Sequence, residues 1–211
     1  MHGAQQYARM KLPDLDRGRL AGWAIDVVLR LAVIGFAIEA VLAGPDDPRF
    51  AGKGIAMRDL VLAGGVATLI VPILHLFRRR WDRYPVWTDV AFLSILALDM
   101  AGNSLNLYEQ AWRFDLIPHA YGPAAALFGL LLLGVRTWVG LAIVNGLHVL
   151  LEIQEVAGDV IFGTSNVNGA WDSITDLAAG LTASVLVALA WEWFHGRKSR
   201  REGHRSYSGA R

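Results

Sequence analysis

Long apolar runs, separated by short clusters of charge, constrain this chain more than any other feature. The runs at 23–43, 60–77, 86–105, 117–135, 138–162 and 174–194 each approach the roughly 20 residues that carry a helix across about 30 Å of hydrocarbon. Lipid offers no partner to open backbone N–H and C=O groups, so runs of this length and composition are expected as helices. Hydrophobic residues make up 54% of the 211 and charged residues 18%, below the roughly 25% charge of ordinary soluble domains. The predicted fold class is therefore all-α: a polytopic transmembrane helix bundle of about six spans. Residues 1–22 form a cytoplasmic N-terminal segment, 23–195 the bundle, and 196–211 a basic cytoplasmic tail predicted to be disordered.

Orientation follows from Lys and Arg. With six spans, Arg17 and Arg19, the arginine run Arg78–Arg80 with Arg83, Arg136, and the basic tail beginning at Arg197 all fall on one side. The opposite side holds Arg49, Lys53, Arg58 and Arg113, offset by Asp46, Asp47, Glu109 and Asp115. The positive-inside rule then places both termini in the cytoplasm, and the eight tryptophans fall near span ends, as an aromatic belt requires. A net charge of +1 without a basic stripe argues against a nucleic-acid partner. The absence of cysteine excludes disulfides, thiolate zinc sites and iron–sulfur clusters.

Ionisable groups inside spans are costly and each needs a reason. Asn145, His148, Glu152, Glu155 and Asp159 follow one another at gaps of three and four, making one polar stripe on the fifth run. The sixth run opens with Asp172, Thr175 and Asp176, and Ala179, Gly180 and Ala183 beneath them permit close helix approach. The third contributes Asp99, Asn103 and Asn106, the fourth Asp115 and His119. Rise per residue puts most of these groups at similar depth in the outer half, where several carboxylates cannot all stay ionised unless something neutralises them. One answer is a divalent metal, Zn, Fe or Mn given the oxygen and imidazole donors. His119, His148, Glu152 and Asp176 are then the predicted ligands, with Glu155, Asp99 and Asp172 as supporting carboxylates or general base. Shared protons in a structural cluster, or a cation or proton path, are the alternatives. Elsewhere, Asp26 and Arg30 are spaced for an intrahelical ion pair, from which Arg30 can also reach a neighbouring carboxylate. Glu39 is read as interfacial and His75 as lying at the headgroups.

The order of motifs, Asp99-x-x-x-Asn103, Tyr108-Glu109, Asp115-x-x-x-His119, Glu152-x-x-Glu155 and Trp171-Asp172-Ser173-Ile174-Thr175-Asp176-Leu177, resembles the YjdF-type predicted inner-membrane proteins of bacteria, a family with a domain of unknown function. The resemblance covers roughly residues 82 to 193. It implies a multi-pass inner (plasma) membrane protein whose shared polar set includes Asp99, Asn103, Asp115, His119, Glu152, Glu155, Asp172 and Asp176; it implies no activity. The expected function is a metal-dependent membrane enzyme acting on a lipid or lipid-linked substrate. A cation or proton transporter or channel, and a non-catalytic membrane subunit, are the other readings. The expected partner is the lipid bilayer; oligomeric state is left open.

Overall fold

The computed structural model describes residues 17–54, 64, 68–78, 83–111 and 113–208, with side chains to 195. Among these residues the secondary structure is helical, without strands. The helices are α1 (Arg17–Ala43), α2 (Ile70–Arg78), α3 (Val86–Ser104), the single turn α4 (Leu107–Gln110), α5 (Leu116–Leu132), α6 (Thr137–Phe162) and α7 (Ala170–Ser208). Most of the predicted second span and of the arginine run after it lies outside the described residues, as do residues 1–16.

Two helices are long and apolar enough to cross a membrane, Thr137–Phe162 and Ala170–His195. The other predicted spans fall short of that standard for visible reasons. Helix α5 is apolar but has only 17 residues, and α1 carries Asp26, Arg30 and Glu39 along its length. Helix α3 carries Asp89 and Asp99 in 19 residues. The backbone of α7 runs on as helix to Ser208, through the segment whose composition predicts disorder. Arg, Lys and Glu there are good helix formers, and extending an existing helix needs no new nucleus.

Helix α5 occupies the centre, packing on α3, α6 and α7; α6 also packs on α7, and α1 on α3. One apolar layer joins Leu127, Leu131, Val144 and Ala188 from α5, α6 and α7. Another joins Val33, Ala37 and Met100 between α1 and α3. The rest of the interior is unusually polar: Asp26, Asp89, Asn103, His148, Glu152, Asp176 and Ser184 are all buried. Conversely, the outside of the bundle is apolar, with Leu31 65%, Leu42 81%, Leu150 60%, Val160 81% and Leu186 61% exposed. Soluble proteins arrange these classes the other way round.

The buried charges of α1 are resolved as the spacing predicts, and the neighbouring carboxylate that Arg30 also reaches is Asp89. Arg30 Nη2 donates to Asp26 Oδ1 at 3.2 Å and to Asp89 Oδ2 of α3 at 2.5 Å. Tyr84 accepts from the same nitrogen at 3.2 Å and donates its own hydroxyl to Asp89. One guanidinium thus ties α1 to α3 through two buried carboxylates. His75, at the end of α2, sits edge-on to the Tyr84 ring, 4.9 Å between centroids.

At the opposite end three loops are fastened together. Arg49 binds Glu39 at 2.5 Å, Asp47 at 3.0 Å and the Ser104 carbonyl at 3.0 Å. Lys53 meets Glu109 at 3.0 Å, and Ser165 N–H donates to the Gly52 carbonyl at 3.0 Å. Helix α6 ends at Gly163, whose φ of 67° is the left-handed conformation that only glycine adopts without strain.

Candidate metal centre

Three helices bring their polar groups to one place. Pro118 occupies the first turn of α5, where its missing N–H is no loss, and His119 follows it. His148 and Glu152 lie one turn apart on α6 and so share a face. Asp176 comes from α7, which approaches closely because residue 180 is glycine: a Cβ there would strike the His148 ring and stand 2.9 Å from the His119 carbonyl oxygen. Small residues at such crossings are how helices come together when lipid supplies no hydrophobic drive.

The resulting geometry is compact. His119 Nδ1 is 3.1 Å from His148 Nε2 and 3.1 Å from Glu152 Oε1, and His148 Nε2 is 3.7 Å from Glu152 Oε1. Bonds of 2.0–2.1 Å to a tetrahedral Zn ion would set ligand atoms about 3.3–3.4 Å apart, so this triangle has the size of one face of such a shell. His148 and Glu152 are 5% and 4% exposed. Glu152 Oε1 has no hydrogen-bond partner despite its nearness to His119. Buried carboxylate oxygens are rarely left so. The donor set, two imidazoles and a carboxylate, suits Zn, Fe or Mn. His119, His148 and Glu152 could therefore hold a metal ion.

The other nitrogen of His119 is also engaged. Nε2 lies 3.4 Å from Asp115 Oδ1, and Asp115, His119 and Asp176 form a second group whose ligand atoms fall within 4.8 Å of one another. A carboxylate on the far nitrogen is the usual means of fixing the orientation of a ligating histidine. His148 has no such partner: its Nδ1 is buried without a hydrogen bond, and contact with α7 at Gly180 positions its ring instead.

The predicted ligand set is thus divided. His119, His148 and Glu152 converge; Asp176 is buried beside them but groups with His119 and Asp115. Of the three predicted supporting carboxylates, Glu155 is half-buried and within electrostatic reach of His119. Asp99 accepts the Tyr108 hydroxyl at 2.7 Å and an Asn103 amide at 3.4 Å, and belongs to neither group. Asp172 Oδ2 accepts the Asn168 N–H at 2.8 Å ahead of α7. The outermost stripe residue, Asp159, is consumed by the α6–α7 loop, taking Thr164 at 2.6 Å and the backbone N–H of Asn166 and Val167. The innermost, Asn145, donates to Ser184 Oγ of α7 at 3.0 Å. Sequence reasoning named Asp115 at the start of the fourth run without giving it a task; its spacing of four from His119 was the signal for its role at Nε2.

Below the group, the layer of Leu127, Leu131, Val144 and Ala188 closes the bundle. To the side, between α6 and α7, a crevice of about 490 Å³ opens on the outer surface. Its lining is apolar, including Val149, Ile153, Val156 and Val160, except for Glu152 and Ser173. No family model, curated protein or solved structure matches this chain.

Proposed function

We propose that this chain is a multi-pass membrane protein, with about six spans and both termini cytoplasmic, whose His119–His148–Glu152 group binds a divalent metal and hydrolyses a lipid or lipid-linked substrate. The observation that carries the reading is the triangle of ligand atoms at 3.1, 3.1 and 3.7 Å in a buried setting. Membrane residence is supported by the inverted distribution of side chains: aspartate, glutamate and histidine inside, leucine and valine outside. The likeness to YjdF-type proteins belongs to the same proposal and rests on the residues quoted for it.

A bound metal of this kind supplies Lewis acidity and water activated near neutral pH. The chain's own groups do the rest. His119, His148 and Glu152 hold the ion, and Asp115 keeps the His119 ring turned toward it. Glu155, one turn along the α6 stripe and within electrostatic reach of His119, is our candidate for the general base that would accept a proton from water. Asp99, which accepts the Tyr108 hydroxyl, and Asp172, which accepts the Asn168 N–H, are the alternatives for that task. Transport is the less favoured reading, because among the described residues Leu127, Leu131, Val144 and Ala188 form an apolar layer beneath the site.

Elemental analysis of detergent-purified protein tests the reading. Stoichiometric Zn, Fe or Mn is expected in the wild type and loss of it in both His119→Ala and Glu152→Ala. Folded wild-type protein that stays metal-free after supplementation would overturn it.

A further inference from the structure

His119 belongs to two groups of ligand atoms. One is the triangle that its Nδ1 makes with His148 and Glu152. The other joins His119 to Asp115, just ahead of α5, and to Asp176 of α7, with the ligand atoms within 4.8 Å of one another. Asp115 Oδ1 lies 3.4 Å from His119 Nε2. That exceeds the roughly 2.7–3.2 Å of an ordinary N–H···O hydrogen bond. It equals the separation of about 3.3–3.4 Å between ligand atoms around a tetrahedral Zn ion.

Asp176 supplies a separate sign. It is 3% exposed, and among the described residues no hydrogen bond or ion pair reaches its carboxylate. Buried polar groups are rarely left so. Charge points the same way. Asp115, Glu152 and Asp176 bring three carboxylates to two groups that share one ring, and a single divalent ion leaves them short of a positive charge. Two divalent ions balance them when His119 contributes one more negative charge as imidazolate. Uncompensated charge is expensive in such a setting. Access exists as well, because the Asp115 side chain is 33% exposed.

We infer that Asp115, His119 Nε2 and Asp176 hold a second divalent ion, so that the His119 ring bridges two metals. The inference rests on the reading of His119–His148–Glu152 as a metal centre, and it assigns Asp176 to the second ion. A neutral imidazole has only one ring nitrogen free to accept a bond. The second ion therefore replaces the Nε2 proton: the N–H bond breaks, its electron pair forms the N–metal bond, and the proton passes to water at the exposed Asp115 side. An ion at Nδ1 makes that N–H more acidic, so the second position fills after the first and empties with it. Two bonds of about 2.0–2.1 Å on either side of one ring set the ions about 6 Å apart. Metal pairs that clamp the attacking and leaving oxygens stand closer, at about 3.5–4 Å. The second ion is thus a positioning element that ties His119 to α7 through Asp176.

The test is equilibrium dialysis of the detergent-purified full chain against Zn²⁺, with elemental analysis per chain, followed by electron paramagnetic resonance of Cu²⁺-loaded protein. Wild type is expected to hold two Zn ions, and Asp176→Asn and Asp115→Asn one each. Thermal unfolding followed by tryptophan fluorescence reports that each variant is folded. Wild type loaded with Cu²⁺ is expected to give an exchange-coupled spectrum, and either variant the spectrum of an isolated ion. One Zn in wild type and in both variants overturns the second ion and leaves the first standing. One Zn in wild type that is lost in Asp176→Asn also overturns it, making Asp176 a ligand of a single ion. Two Zn ions retained in both variants, or two Cu ions without coupling, overturn the His119 bridge. Folded wild type that binds no Zn at all refutes the metal centre itself.

Discussion

Replacing Gly180 by alanine is a small change with a specific expected signature. The added Cβ would lie 2.9 Å from the His119 carbonyl oxygen, and closer still to the His148 ring. That is about 0.5 Å inside ordinary contact distance at a backbone atom, which has no rotamer to escape into. Helix α7 must retreat from α5, and the His148 ring must turn away. Overpacking of this kind costs about 1–3 kcal/mol, while alanine gains about 1 kcal/mol over glycine as a helix former. The net loss of stability is then about 0–2 kcal/mol. Metal ligation is less forgiving, because ligand distances hold within about 0.2 Å. Affinity is expected to fall by at least the ~10–100-fold that follows when a ligand loses its orienting contact. The assay pairs a metal competition titration with thermal unfolding followed by tryptophan fluorescence. Gly146→Ala on α6 is the control, since a Cβ there meets nothing within 4 Å; it should leave metal affinity unchanged. Wild-type affinity in Gly180→Ala would refute the argument that this crossing holds the site.

Three further outcomes are expected. Arg30→Met leaves Asp26 and Asp89, each 2% exposed, without their cation; the loss should be about 3–5 kcal/mol, and adding Asp26→Asn and Asp89→Asn should recover part of it in chemical unfolding. Hydrogen bonds from Arg49 hold the Asp47 carboxyl, in the loop after α1, below the usual carboxylate range. A lowered folded pKa gives stability that is present above about pH 4 and lost as pH falls through that folded value; the unfolding temperatures of wild type and Asp47→Asn should therefore differ at neutral pH and converge in acid. Asn145→Leu removes the α6–α7 hydrogen bond to Ser184 and should cost only about 0.6 kcal/mol, the average for such bonds between membrane helices, with metal content retained.

Face and depth arguments were enough to bring His119, His148 and Glu152 together, and to put Asp176 near His119 in a second group, because a helix fixes direction and rise without knowledge of its neighbours. They also anticipated the Asp26–Arg30 pair. They were insufficient for Asp99 and Asp159, which have the right face but are taken by Tyr108 and by the Thr164–Val167 turn. Where a chain doubles back after a helix depends on loop conformation, and periodicity says nothing about that. Asp89 was invisible for a related reason: its partner, Arg30, lies 59 residues away on a helix whose packing angle the sequence leaves open. The division of the carboxylates between the two nitrogens of His119 depends on ring orientation, which is decided by packing.

The central place of α5 also bears on how the bundle is made. His119 and its partner His148 are separated by 29 residues, and at typical synthesis rates of 5–20 residues per second the first waits roughly 1.5 to 6 seconds for the second. Asp176 and Gly180 arrive later still. In the membrane proposed above, a newly inserted α5 would until then present His119 to lipid with only Asp115 of its own chain segment as a partner, a condition that membranes tolerate poorly. Completion of the site therefore coincides with arrival of the last helix. A chain truncated before α7 would be marked for disposal by the same groups that serve the finished protein.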